Sequence, residues 1–82
     1  MPKFEYDHTE AVPVEELQVG DVVVEPRHPD RPYQVTRLVT LRPTLRVQVW
    51  ARSVYGRTER VSAMSFGRFQ PGETVHRVVM AA

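Results

Sequence analysis

One predicted strand carries four polar residues whose types and spacing suit a polyanionic ligand. From Leu45 to Val54, apolar and polar residues alternate with a period of two, which is typical of a half-buried strand. The polar members would share one face, each about 7 Å from the next, and they are Arg46, Gln48, Trp50 and Arg52. An exposed tryptophan between arginines is what base stacking combined with phosphate contact requires. The pattern therefore predicts a nucleic-acid-binding face.

The next predicted strand, Thr58–Met64, extends this face. It should pair with the first strand across a hairpin turn at Tyr55-Gly56-Arg57, because glycine readily adopts the positive φ that such turns need. It could then add Thr58, Arg60 and Ser62 to the same face. The predicted nucleic-acid-binding residues are Arg46, Trp50, Arg52 and Arg60.

Two alternatives remain open for these residues. Trp50 could instead pack against Tyr6 or Phe66 as a second small core, with the arginine stems lying over the rings. Ten of the eleven basic residues are arginine, which suits bidentate contacts to phosphate or carboxylate. A GC-rich genome would produce the same arginine content, together with the richness in valine and proline.

The formal charge is divided between the two parts of the chain. Residues 1–30 contain eight acids and two bases, which gives −6, and residues 31–82 contain nine arginines and two glutamates, which gives +7. Such asymmetry indicates an anionic partner or an acidic tail. Alternatively, the acidic part neutralises the basic part within the fold.

The other polar residues indicate no enzyme. The three histidines, at positions 8, 28 and 76, have no metal-ligand spacing, and the chain has no cysteine. Adjacent Glu15 and Glu16 would point apart on a helical turn, so they predict a solvated surface rather than a catalytic pair. No glycine-rich phosphate loop or nucleophile elbow is present. We therefore expect no catalytic residue, no metal and no cofactor.

Length and composition limit the fold. Eighty-two residues make one domain with a thin core, and 41% hydrophobic residues argue against global disorder. The absence of cysteine favours a reducing compartment. No signal peptide and no apolar run of ~20 residues is found. These features predict a cytoplasmic protein that does not associate with membranes.

Fifteen valines and seven prolines predict an all-β fold. The domain is expected to span residues 12–82 after an acidic, irregular or flexible lead-in over residues 1–11. Loops are expected at residues 27–32 and 66–72. Five strands at close spacing predict a small antiparallel barrel or sandwich; they are Asp21–Glu25, Tyr33–Leu41, Leu45–Val54, Thr58–Met64 and Thr74–Met80. The expected core residues are Leu17, Val22, Val24, Val35, Leu45, Val47, Val49, Val61 and Val78.

Two segments repeat the same pattern before a strand. Leu17-Gln18-Val19-Gly20-Asp21 and Phe69-Gln70-Pro71-Gly72-Glu73 each contain an apolar residue, glutamine, a spacer, glycine and an acid. Glycine permits the sharp turn, the acid can accept hydrogen bonds from nearby backbone amides, and the apolar residue can plug the end of the core. The pattern predicts positive φ at both glycines, and either duplication or repeated use of one turn explains it.

The segment from Leu17 to Val39 resembles the opening of an SH3-like small barrel, including the KOW-type barrels of transcription and translation proteins. The residues that carry this resemblance are Gly20-Asp21, Val22, Val24, Val35 and Val39. The resemblance covers about a quarter of the chain and implies a five-stranded SH3-like barrel. KOW barrels have a glycine in the loop between their first two strands, where this chain has His28-Pro29-Asp30. We therefore infer the barrel fold from this resemblance, but not the function of the KOW family.

Two functions of different classes are compatible with these features. The first is a non-enzymatic module that binds nucleic acid through the arginine and tryptophan residues. The second is a protein-interaction or structural accessory module, such as a small phage-encoded protein, that binds an acidic protein surface. Binding to nucleic acid should depend strongly on salt, because phosphate contacts release counterions.

Overall fold

The strands of this chain pair into one antiparallel sheet. The structure, a computed structural model, describes residue 6, residues 8–54 and residues 63–79. Its strands are β1 (His8–Pro13), β2 (Val22–Glu25), β3 (His28–Leu41), β4 (Arg46–Ser53), β5 (Met64–Phe69) and β6 (Thr74–Val79), with a short 3₁₀ turn at Val14–Glu16. Their order across the sheet is β1-β6-β2-β3-β4-β5. The predicted all-β antiparallel fold is confirmed.

The sheet differs from the expected barrel in two respects. It has six strands rather than five, and it is not closed, because the outer strands β1 and β5 do not pair within the described residues. The additional strand is β1. Residues 8–11, which were expected to be irregular, belong to this strand and pair with β6 from His8 opposite Val79 to Pro13 opposite Thr74. Long-range pairing with β6 orders a segment that has little local signal of its own.

Two segments that were expected to be loops also belong to strands. Residues 28–32 begin β3, and their prolines are tolerated because the register shifts there, so that four β3 residues lie opposite the single residue Val24. Residues 66–69 belong to β5, which pairs with β4. The predicted turn at residues 55–57 and most of the predicted strand 58–64 lie outside the described residues.

The core joins both ends of the sheet. Its buried cluster consists of Val12, Val14, Leu17, Val23, Val35, Val49 and Val75. Phe66 and Phe69 of β5 pack against this cluster, which also includes Val12 of β1. The sheet therefore folds over on itself, so that its two outer strands contribute to one core.

Most of the expected core residues lie inside. Leu17, Val24, Val35, Val49 and Val78 are buried, Val22 and Val47 are half-buried, and Val61 lies outside the described residues. The prediction for Leu45 is wrong, because 50% of its surface is exposed. Leu45 precedes β4 and has a φ of +60°, in the turn that also contains the cis Arg42–Pro43 peptide bond. The alternation that predicted its burial begins only at Arg46.

The two repeated turns have the same geometry. Gly20 has a φ of +100° and Gly72 a φ of +84°, so the prediction of positive φ is confirmed at both. The amide of Gln18 donates to the Asp21 carboxylate at 2.9 Å, and the amide of Gln70 donates to the Glu73 carboxylate at 2.9 Å. In each turn the amide of the acidic residue donates back to the glutamine carbonyl at 3.0 Å. One local solution thus leads into both β2 and β6.

The described part of the chain contains no helix with the length and apolar character that a membrane crossing demands.

Candidate nucleic-acid interface

Strand β4 lies between β3 and β5, and its register determines which side chains surround Trp50. Residues that lie directly opposite one another in antiparallel strands project to the same face of the sheet. Trp50 lies opposite Arg37 on β3 and Ser65 on β5. Its neighbours along the chain, Val49 and Ala51, are fully buried on the other face. Trp50 therefore projects outward from the core, with an arginine at its side.

Two β-bulges set this arrangement. On β3 the register shifts between Val35 and Arg37, so that Thr36 is an extra residue, and its hydroxyl donates to the Trp50 carbonyl at 3.2 Å. On β5 the register shifts between the partners of Val49 and Trp50, so that Phe66 is the extra residue. Bulges commonly redirect side chains next to functional sites. Here they place Arg37 and Ser65 beside Trp50.

Tyr6 and Phe66, the two residues considered above as packing partners of Trp50, make contacts with other described residues. The ring of Phe66 lies 5.7 Å from that of Tyr33 and 6.1 Å from that of Phe69, measured between centroids, on the core side of the sheet. The hydroxyl of Tyr6 donates to the Pro29 carbonyl at 2.8 Å. Trp50 itself is half-buried, so part of its side chain is open to a ligand.

A second row of side chains lies next to Trp50 on the same face. Gln48 lies opposite Val39 on β3 and Arg68 on β5. The Gln48 amide nitrogen donates to the Ser65 hydroxyl at 3.3 Å, which joins this row to the row that contains Trp50. Arg46 and Arg52 extend the face along β4, opposite Leu41 and Gln34 respectively. We call this surface the arginine face; it consists of Arg37, Arg46, Gln48, Trp50, Arg52 and Arg68.

The four arginines of this face are exposed and lack acidic partners among the described residues. Arg37, Arg46, Arg52 and Arg68 are all exposed. Neither an ion pair nor a side-chain hydrogen bond joins any of them to a carboxylate within the described segments. The partners that the register gives to these arginines and to Trp50 include no acidic residue. Within the described residues, the positive charge of this face around the aromatic ring is therefore not neutralised by a carboxylate.

Arg77 on β6 shows the opposite situation. Its Nε donates to the Glu10 carboxylate at 3.1 Å, and its Nη1 lies 3.7 Å from the Asp21 carboxylate. The hydrogen bond to Glu10 is the main cause that raises the pKa of Arg77 above its ordinary value. The acidic first part of the chain thus does pair with an arginine, but with one that lies away from the arginine face.

The structure brings together three of the four residues predicted from the sequence. Arg46, Trp50 and Arg52 alternate outward along β4, whereas Arg60 lies outside the described residues. Sequence reasoning missed Arg37 and Arg68. The bulge at Thr36 changes the alternation of β3 just before Arg37, and Arg68 lies in a segment that was assigned to a loop.

The described residues of this face present charge, an aromatic surface and an amide group, and none of the six is a carboxylate or a histidine that could act as a general acid or base. Elsewhere in the described residues, no group of three or more His, Asp or Glu side chains is arranged to hold a metal ion. No protein-family model, curated protein or solved structure matches this chain.

Proposed function

We propose that this chain is a non-enzymatic module that binds single-stranded nucleic acid through the arginine face. The observation that carries the proposal is the set of four exposed arginines, without described acidic partners, around Trp50 on three adjacent strands. Arginines would contact the phosphates, and a base would stack on the indole ring. A single strand fits this chemistry better than a duplex, because its unpaired bases are free to stack on an aromatic ring.

The dimensions of the face suit a short stretch of nucleic acid. Arg46 and Arg52 are six residues apart on β4, which corresponds to about 20 Å along an extended strand. Arg37 and Arg68 lie on the neighbouring strands on either side, and each of these strands is about 4.8 Å from β4. The positive charge therefore surrounds the ring, and a bound strand of a few nucleotides can contact arginines on either side of a stacked base.

The proposal includes the fold class suggested by the sequence. The segment that resembles the opening of an SH3-like barrel contains β2 and most of β3, which pair antiparallel with Val22 opposite Gln34. We propose that the folded-over sheet is a variant of this class with an added β1. The function does not depend on this assignment, because it rests on the side chains of β3, β4 and β5.

The intrinsic fluorescence of this chain can be used to follow nucleic-acid binding. Trp50 is the only tryptophan, so its emission comes from the proposed stacking site. Titration with an unlabelled oligothymidylate of about 12 nucleotides should quench this emission at low salt. Fluorescence anisotropy of a labelled oligonucleotide should show Trp50→Ala binding about tenfold or more weakly, since stacking contributes ~1–3 kcal/mol per base. Trp50→Phe, which keeps a ring, should bind with intermediate affinity.

Salt titrations separate the contribution of arginine–phosphate contacts to the binding affinity from the contribution of base stacking. Arg37→Gln and Arg68→Gln should each reduce the slope of log K against log salt by about 0.7, because each removes one phosphate contact to a single strand. Arg77→Gln removes the same charge from a residue that is already paired, and its slope should match that of the parent. Absence of oligonucleotide binding at low salt contradicts the proposal, and binding to polyglutamate instead would favour an acidic protein as the partner.

A further inference from the structure

A groove on the inner side of the folded sheet lies where β5 approaches β2 and β6. It consists of two adjoining pockets of about 170 and 140 Å³. Glu25 and Phe66 line both pockets, so the two pockets lie next to each other at these residues. The bulge that directs Trp50 and Ser65 outward also makes Phe66 the extra residue of β5, on the core side.

Aromatic rings form the walls of this groove. The Tyr33 and Phe66 rings are tilted by 58° to each other, and the Phe66 and Phe69 rings are stacked at 30°. All three residues are half-buried, so part of each side chain remains accessible. The faces of aromatic rings are electronegative and attract cations that lie within about 6 Å of the ring centre. The tilted pair therefore forms a corner that suits a compact cation.

The charge at the groove agrees with this ring chemistry. Glu25 is exposed, and no described residue donates a hydrogen bond or forms an ion pair with its carboxylate. His76 also lines the smaller pocket, and no lysine or arginine is found among the described lining residues of either pocket. The rest of the lining is mostly apolar and includes Met64 and Val75, and Ser65 and Thr74 add polar groups. A ligand that satisfies all these groups is positively charged and has an apolar surface.

We propose that this groove binds an alkylammonium group, with the cationic nitrogen between the Glu25 carboxylate and the Tyr33–Phe66 corner. Such a group combines a diffuse positive charge with methyl groups that pack against rings and a thioether. The proposal does not depend on nucleic-acid binding, because it rests on different side chains and a different ligand. An alkylammonium group of this kind occurs both in a free quaternary ammonium compound and in a methylated lysine side chain.

The test compares choline with its neutral isostere 3,3-dimethylbutan-1-ol, which has the same shape without the charge. Titration of the full chain, followed by methyl resonances of Met64 and Val75 in nuclear magnetic resonance spectra, should show choline binding about fivefold or more tightly than the alcohol. Equal binding of the two would overturn the proposal, because the groove would then select only for apolar shape. Absence of any shift with choline would also overturn it.

Variants assign the preference to the proposed side chains. Glu25→Gln should reduce the affinity for choline by about fivefold and leave that for the alcohol unchanged. Glu16→Gln, which removes an exposed carboxylate from the 3₁₀ turn, is the matched control and should bind like the parent. Phe66→Leu tests whether the Phe66 ring contributes to the affinity for choline. If this variant unfolds, Glu25→Gln still tests the proposal. Unchanged choline binding by Glu25→Gln would overturn the assignment.

A further arm distinguishes the two sources of the cation. A short peptide with trimethyllysine and its unmodified counterpart are titrated under the same conditions. Tighter binding of the trimethylated peptide than of choline supports a modified protein as the source, and equal affinities support a free amine. Equal binding of modified and unmodified peptides would contradict recognition of the methylated group.

Discussion

The two halves of this sheet, β1-β6-β2 and β3-β4-β5, differ in whether their arginines are paired with carboxylates. In β1, β6 and β2, Arg77 binds the carboxylate of Glu10 and lies close to that of Asp21. In β3, β4 and β5, four exposed arginines surround Trp50 without acidic partners among the described residues. A charged group with a partner contributes to the fold, whereas a set of like charges without partners raises the energy of the isolated protein and favours an anionic ligand.

The difference also shows what the acidic first part of the chain does. Asp21 accepts the Gln18 amide within its own turn, and Glu15 accepts the Gly72 amide at 2.7 Å in the other turn. Glu10 is bound to Arg77. These carboxylates therefore serve turn amides and one arginine on the far half of the sheet. Among the described residues, the near cancellation of charge in the sequence is therefore not accompanied by ion pairs between these acids and the arginine face.

The largest expected effect is the loss of oligonucleotide binding when all four arginines of the arginine face are replaced. The combined variant Arg37→Gln, Arg46→Gln, Arg52→Gln and Arg68→Gln should weaken oligonucleotide binding at low salt by on the order of 100-fold, because four phosphate contacts are lost. The measurement is fluorescence anisotropy over a range of salt concentrations. Far-ultraviolet circular dichroism should remain that of the parent, since all four side chains are exposed. Parent-like binding by this variant would place the interface elsewhere.

The second prediction tests whether the halves differ in their core as well as on their surface. Val49 of β4 and Val75 of β6 are both buried in the shared cluster. Val49→Ala and Val75→Ala should each reduce the free energy of unfolding by ~1–3 kcal/mol, because burial is lost and a cavity remains. Urea denaturation measures both. Val19→Ala, at a position that is 65% exposed, is the control with little expected change. Two separate unfolding transitions in either variant would mean that the halves unfold separately.

The third prediction compares the two glycine turns. Gly20→Ala and Gly72→Ala should each cost about 1 kcal/mol or more, because the positive φ at both positions disfavours a β-carbon. A β-carbon at either position would meet no atom within 4 Å, so the cost is conformational rather than steric. Similar losses on thermal denaturation would confirm that the turns are equivalent. A loss at one turn alone would restrict the strain to that position.

The smallest expected effect is the change in stability when Arg77 loses the carboxylate of Glu10. Glu10→Gln should lower stability by less than about 1 kcal/mol, since the Glu10 and Arg77 side chains are 44% and 30% exposed and water screens their attraction. Denaturation at low and high salt should show that the small difference disappears as salt increases. Oligonucleotide binding should not decrease. Weaker binding by this variant would connect the two halves in a way that the geometry does not predict.

Sequence reasoning was most successful where the signal is local. The alternation in β4 predicted the outward direction of Arg46, Trp50 and Arg52, and the glycine–acid pattern predicted both turns. It was wrong at Leu45, where a turn rather than a strand sets the direction of the side chain. It also missed Arg37 and Arg68, because a bulge and a non-local strand pairing set their positions. Pairing partners and inserted residues depend on the whole sheet.

The pairing of β1 with β6 has a consequence for the rate at which the sheet assembles. Glu10 and Arg77 face each other across 67 residues of sequence, whereas β3 and β4 are joined by a short turn. Loop closure over so long a segment must occur before β1 and β6 gain any contact, and chains rich in such distant contacts fold on timescales of milliseconds to seconds. We therefore expect the β3–β4 hairpin to form early, so that the strand that bears Trp50 is in place before the ends of the chain meet.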